Sequence, residues 1–162
     1  MESRMKLFGH PVHQMLVVFP LGLLGTAVIF DILRMITGNG YWSEIAFWVM
    51  AAGILSGLIA APFGAIDWLG VPSGSRASRI GFLHGAGNVV VLMLFALSWW
   101  MRRDAPGIPA AIAVALSFVG LALSLVTGWL GGELVDRLGV GVDDGAHVDA
   151  PSSLTTRRVI RG

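Results

Sequence analysis

Phe8-Gly9-His10-Pro11-Val12-His13-Gln14-Met15 runs directly into the apolar residues 16–30, and this junction decides the fold. Two imidazoles stand at the mouth of a hydrophobic run, and a third recurs the same way at His84, just inside the run that begins at Ile80. About 20 consecutive apolar residues cross a bilayer as a helix. Four stretches qualify: residues 13–35, 45–68, 80–101 and 108–134. Helix is the element expected of each, because an isolated strand leaves its backbone unpaired in lipid. The chain is therefore expected to be all-α, an integral membrane four-helix bundle.

Composition agrees. Of 162 residues 55% are hydrophobic and only 13% charged, against about a quarter in soluble domains. The length suits one domain, with the spans in residues 1–142 and a flexible polar tail in residues 143–162. With no cysteine, disulfides, thiolate metal sites and iron–sulfur ligation are excluded. A net charge of +1 offers no basic face, and no nucleic-acid motif is present. Lys6 precedes the first apolar run, but that run continues into Asp31 without a small-residue cleavage pattern, so it reads as a retained span. The six tryptophans fall near span ends, as an aromatic belt does.

Four spans put both termini on one side. That side collects Arg4, Lys6, Arg76, Arg79, Arg137 and the tail pair Arg157-Arg158, against Arg34, Arg102 and Arg103 opposite. The positive-inside rule then places both termini in the cytoplasm, in a multi-pass protein of the inner membrane. Gly53, Gly57, Ala60 and Gly64, with Gly81/Gly85 and Gly128/Gly132, have the spacing that lets helices approach closely. Packing within the bundle is the favoured use; a homodimer seam is the alternative. The two halves also look like one helical hairpin used twice, a repeat about an axis along the membrane normal. That places His13 with His84, and Asp67 with Glu133, at matching depths on one face.

The opening Gly9-His10-Pro11-Val12-His13-Gln14-Met15-Leu16-Val17-Val18-Phe19-Pro20-Leu21-Gly22 resembles the GHPLHPLLVHFPIGL start of a bacterial membrane-domain family of unknown function. The segment from Gly128-Trp129-Leu130-Gly131-Gly132-Glu133-Leu134 through Val142 resembles its GWLGGELVYRHGVGV close. The resemblance covers residues 8–142 and implies a four-span bundle in which His10, His13, His84 and Glu133 carry over. Some members are joined to Rieske or cytochrome-like domains, which implies electron-transfer partners. Three positions depart from the pattern. Val18 stands where a third histidine is common, Gln14 replaces a proline, and Asp136 replaces an aromatic.

Ionisable groups inside spans are costly and persist when paired or when they line a site. One-turn spacing would set His10 and His13 on one helix face, with Pro11 in the first turn. Asn88 lies one turn beyond His84. Three uses of these groups compete. In the first, His13 and His84 bond Asp67 and Glu133 and simply tie helices together. In the second, His13 and His84 are axial ligands of a b-type haem, with His10 auxiliary, Asp67 and Glu133 as carboxylates behind the imidazoles, and Asn88 orienting. In the third, His10, His13, His84, Asp67 and Glu133 hold a transition metal, or pass metal or protons across the membrane. Asp31, offset by Arg34 or Arg102, is the lone carboxylate towards the other side. No hydrolase, phosphate-loop or dinucleotide motif appears, so enzyme activity is not expected. Ser56, Ser117 and Ser124 read as small packing residues, and His147 as solvated.

Overall fold

A computed structural model describes residues 1–155; Arg157 and Arg158 lie outside the described residues. A two-strand hairpin, β1 (Lys6–Leu7) and β2 (His10–Pro11), leads into α1 (Val12–Leu16) and α2 (Val18–Thr37). Three long helices follow: α3 (Tyr41–Trp68), α4 (Arg76–Arg102) and α5 (Ala111–Gly132), the last closed by a π turn over Glu133–Arg137. The four runs Val12–Thr37, Tyr41–Trp68, Arg76–Arg102 and Ala111–Arg137 are each long and apolar enough to cross a membrane. A span of 26 residues reaches about 39 Å at 1.5 Å per residue, more than the roughly 30 Å hydrocarbon core.

The helix ends differ from the hydropathy bounds for local reasons. The second helix starts at Tyr41 rather than 45, because Asn39 Oδ1 accepts the Tyr41 N–H at 3.0 Å. The third starts at Arg76 rather than 80, because Ser75 caps it by accepting the Ser78 N–H at 3.0 Å. The fourth starts at Ala111 rather than 108, leaving Ile108 exposed beside Pro109. Hydropathy does not register caps, so polar first turns were invisible to it. Gly38 ends α2 in the left-handed region at φ 69°. Pro20 lacks the N–H that would bond the Leu16 carbonyl, and the first span breaks at Val17.

Helix α2 packs against α3 and α5, and α4 packs against the same two. The core is Leu24, Ala27, Val28, Ala46, Met50, Val91 and Phe95. The duplication is visible in contacts that repeat in pairs. A Cβ on Gly53 would meet Leu24 at 2.7 Å, and one on Gly120 would meet Phe95 at 2.8 Å. Gly64 lies against the ring of His13, and Gly131 against that of His84. At one constant offset, His13, Leu24 and Asp31 correspond to His84, Phe95 and Arg102. At another, Gly53, Ala60 and Gly64 correspond to Gly120, Thr127 and Gly131. Of the small residues, Gly53, Gly57, Gly64 and Gly81 pack inside the bundle, whereas Gly85, Gly128 and Gly132 meet nothing within 4 Å.

Residues 143–155 form turns that touch the N-terminal hairpin: Asp143 pairs with Lys6 at 3.5 Å and Ser153 Oγ lies 3.4 Å from His10. The Gly145 backbone N–H and the Lys6 ammonium hold the Asp143 carboxyl below its usual range. A hydrogen bond to Glu2 holds Lys6 above its own. The carboxylate's contribution is complete above its ordinary pKa and lost as pH falls through the lowered one. The ammonium's is complete below its ordinary pKa and lost as pH rises through the raised one. Hydrogen exchange of residues 143–155 should therefore be flat, after correction for intrinsic rates, between about pH 5 and pH 9. A step inside that window would show that neither the Lys6 nor the Asp143 contact controls the segment.

Candidate functional site

The break at Val17 lets α1 carry His13 onto α3, where its Nδ1 lies 3.0 Å from the Ala60 carbonyl oxygen. His84 repeats the arrangement on α5, with Nδ1 2.8 Å from the Thr127 oxygen. Each ring covers the helical turn between that carbonyl and a glycine four residues on, Gly64 or Gly131. Glycine is needed there because a Cβ at Gly64 would stand 2.6 Å from His13 Cε1, and one at Gly131 would stand 3.0 Å from His84 Cε1. A carbonyl only accepts, so both Nδ1 atoms carry a proton, and in the neutral ring Nε2 keeps the lone pair. The ring centres are 6.4 Å apart, with planes at 90°.

Asn88 completes one half. Its amide nitrogen donates to the His84 carbonyl at 2.9 Å and lies 3.2 Å from His84 Nε2, and its Oδ1 accepts from Thr127 Oγ1 at 3.0 Å. The corresponding place in the first half is Val17, so His13 Nε2 has no hydrogen-bond partner among the described residues.

The carboxylates go elsewhere. Asp67 accepts from Ser3 Oγ and the Arg4 N–H, each at 2.8 Å. Glu133 pairs with Arg76 at 2.5 Å. Neither backs an imidazole as expected. The reason is register: with Gly64 matched to Gly131, Glu133 corresponds to Ile66, one residue and about 100° away from Asp67. His10 also stands apart. Phe8 and Gly9 have φ of 51° and 83°, a turn with both central residues left-handed, and Pro11 is extended, so the helix begins only at Val12. His10 thus lies on the exposed hairpin and does not share a helix face with His13. Among the described residues no three His, Asp or Glu side chains come together as a metal-binding group. Val18, the position of the third histidine in the resembling sequences, is 60% exposed.

A second polar site lies at the opposite end of the bundle, so the ionisable groups do not all gather beneath one leaflet. Asp31 and Arg102 are completely buried and form a two-pronged pair, Nη1 to Oδ1 at 2.6 Å and Nη2 to Oδ2 at 2.8 Å. Ser43 and Ser117 donate to the same carboxylate at 3.4 and 3.1 Å. Ser98 accepts from Arg102 Nε at 3.2 Å and donates to the Ala113 carbonyl at 2.6 Å. Ser117 is thus a polar partner rather than packing alone. The spacing of Ser98 and Arg102, one helical turn apart, was the available signal for this site.

No curated protein and no solved structure matches the chain. The sequence pattern of one family matches residues 9–144, a range that contains the four helices, both histidines of the pair and both end motifs. The chain belongs to that family, described as Predicted membrane protein (DUF2231).

Proposed function

We propose that the protein is a membrane-embedded module that holds a redox-active transition-metal centre, in the first instance a b-type haem iron, between His13 and His84. The observation that carries this reading is the pairing of two imidazoles from corresponding positions, each with Nδ1 tied to a backbone carbonyl and Nε2 keeping a lone pair that a metal could take up. Such a hydrogen bond behind the ring is the usual way to orient a ligating histidine. With ring centres 6.4 Å apart, His13 and His84 are the residues that would hold the metal. Asn88, whose amide nitrogen lies 3.2 Å from His84 Nε2, would orient that ring. The bound metal would supply one-electron transfer, and electron-transfer proteins of Rieske or cytochrome type are the partners this reading calls for. Both termini face the cytoplasm of an inner-membrane protein in the same reading, supported by the lysine and arginine asymmetry.

Transport of metal or protons fits less well. Leu24, Val28, Met50, Val91 and Phe95 fill the layer between the two polar ends, and no polar track joins them among the described residues. A helix-tying role for the pair has one observation in its favour, the closed set of bonds among His84, Asn88 and Thr127.

Absorption spectroscopy and metal analysis of the detergent-purified protein test the proposal. A reducible Soret band is expected, with loss in His13→Ala and in His84→Ala; one metal per chain in a colourless preparation would overturn the haem reading in favour of a non-haem metal site. A colourless, metal-free protein, even after incubation with haemin, copper or zinc, would overturn it in favour of the helix tie.

A further inference from the structure

We propose that the groove between α2 and α5, at the end away from the termini, binds one anionic phospholipid, with an acyl chain in the groove and the phosphate on Arg34. The groove has a volume of about 350 Å³ and is lined by Arg34, Met35, Ala111, Val114, Ala115 and Phe118. That is within the range of small-ligand sites, about 300–1,000 Å³. Five of the six lining side chains are apolar, and the sixth is a cation in the last turn of its helix. The bilayer is the medium these helix faces already meet, so a lipid is the occupant at hand.

Two observations go beyond exposure. The first is charge. Arg102 pairs with both oxygens of Asp31, and among the described residues Arg34 makes no ion pair and no side-chain hydrogen bond. A half-buried guanidinium near the hydrocarbon boundary gains a charge-assisted, two-pronged bond from a phosphate. The second comes from the duplication. The corresponding seam between α3 and α4 is filled by aromatics. There Phe47 stacks on Trp99 with ring centres 5.2 Å apart, where the α2–α5 seam has Val114 and Val28. Trp48 stands where α5 has Ala115. One seam between the hairpins is thus closed by the stacked Phe47 and Trp99, while its counterpart is open and carries at its mouth a cation unpaired among the described residues. That asymmetry is what a lipid-filled seam requires, and α2 and α5 are the most loosely joined of the neighbouring long helices.

Native mass spectrometry of the full chain, released from nanodiscs of equal phosphatidylglycerol and phosphatidylcholine, tests this. One phosphatidylglycerol should be retained in preference to phosphatidylcholine, unaffected by millimolar inorganic phosphate. Arg34→Gln should lower that retention about tenfold, the loss of one charge-assisted contact, while Arg34→Lys restores part of it. Ala115→Trp, which sets an indole into the groove, should abolish retention of both lipids; Ala115→Leu serves if that variant does not fold. Equal retention of the two lipids by the parent protein, or unchanged retention in Arg34→Gln, would overturn the proposal. Arg34 makes no ion pair and no side-chain hydrogen bond among the described residues, so its variants should retain the bundle, and the histidine pair is untouched whichever way the result falls.

Discussion

Asp31→Asn should destabilise the bundle by about 3–5 kcal/mol, the cost of leaving one charge of a buried pair without its partner. Thermal unfolding of the detergent-solubilised protein should fall by on the order of 10 °C. Arg102 would remain buried with Ser98, Ser117 and the Ala113 carbonyl around it, none of which carries a compensating charge. Arg102→Met should cost a similar amount for the reciprocal reason. The double variant Asp31→Leu/Arg102→Met removes both charges and should recover most of the loss, so a double-mutant cycle should return a large coupling. Additive losses would show that the two residues act independently.

A charge swap, Asp31→Arg/Arg102→Asp, sharpens the test because the two positions correspond under the repeat. Their surroundings do not. Ser98 and Ser117, which serve Arg102, correspond to Ala27 and Met50 in the other half. The swap should therefore recover less than the apolar double variant.

Gly64→Ala should lower stability by about 1–3 kcal/mol, because the added methyl displaces the His13 imidazole and leaves its partly buried hydrogen bond to Ala60 unmade. Gly131→Ala should act in the same direction and less strongly, since its Cβ would clear His84 by 3.0 Å instead of 2.6 Å. Gly128→Ala and Gly132→Ala meet open space and should be neutral or mildly stabilising, by up to about 1 kcal/mol of helix propensity. Thermal unfolding of the four variants checks the ordering. If all four behave alike, the imidazoles do not depend on the glycine cradles. If Gly128→Ala and Gly132→Ala alone are disruptive, those glycines form an interface with a second copy.

The spans were legible in the chain because hydropathy is additive along it: residues 16–30 or 108–134 need no partner to be read as lipid-soluble helix. The pairing of His13 with His84 was legible too, since a repeated hairpin puts equivalent residues at one depth. What surrounds them was not. Whether a carboxylate sits behind an imidazole depends on helix rotation, and a one-residue difference in register sends Glu133 to Arg76 while Asp67 turns to Ser3. His10 was misplaced for a local reason, as Pro11 begins no helix and the left-handed pair Phe8-Gly9 folds the strand back.

Composition and periodicity alone determined that this chain is a four-helix membrane protein with histidines near one end, because burial in lipid is a property each segment carries by itself. Which charge Asp31 meets, which carbonyls hold the two imidazoles and which seam is left open were decided only by tertiary packing. Those outcomes depend on distances of a few ångströms between helices far apart in the chain, and no stretch of sequence encodes such a distance on its own.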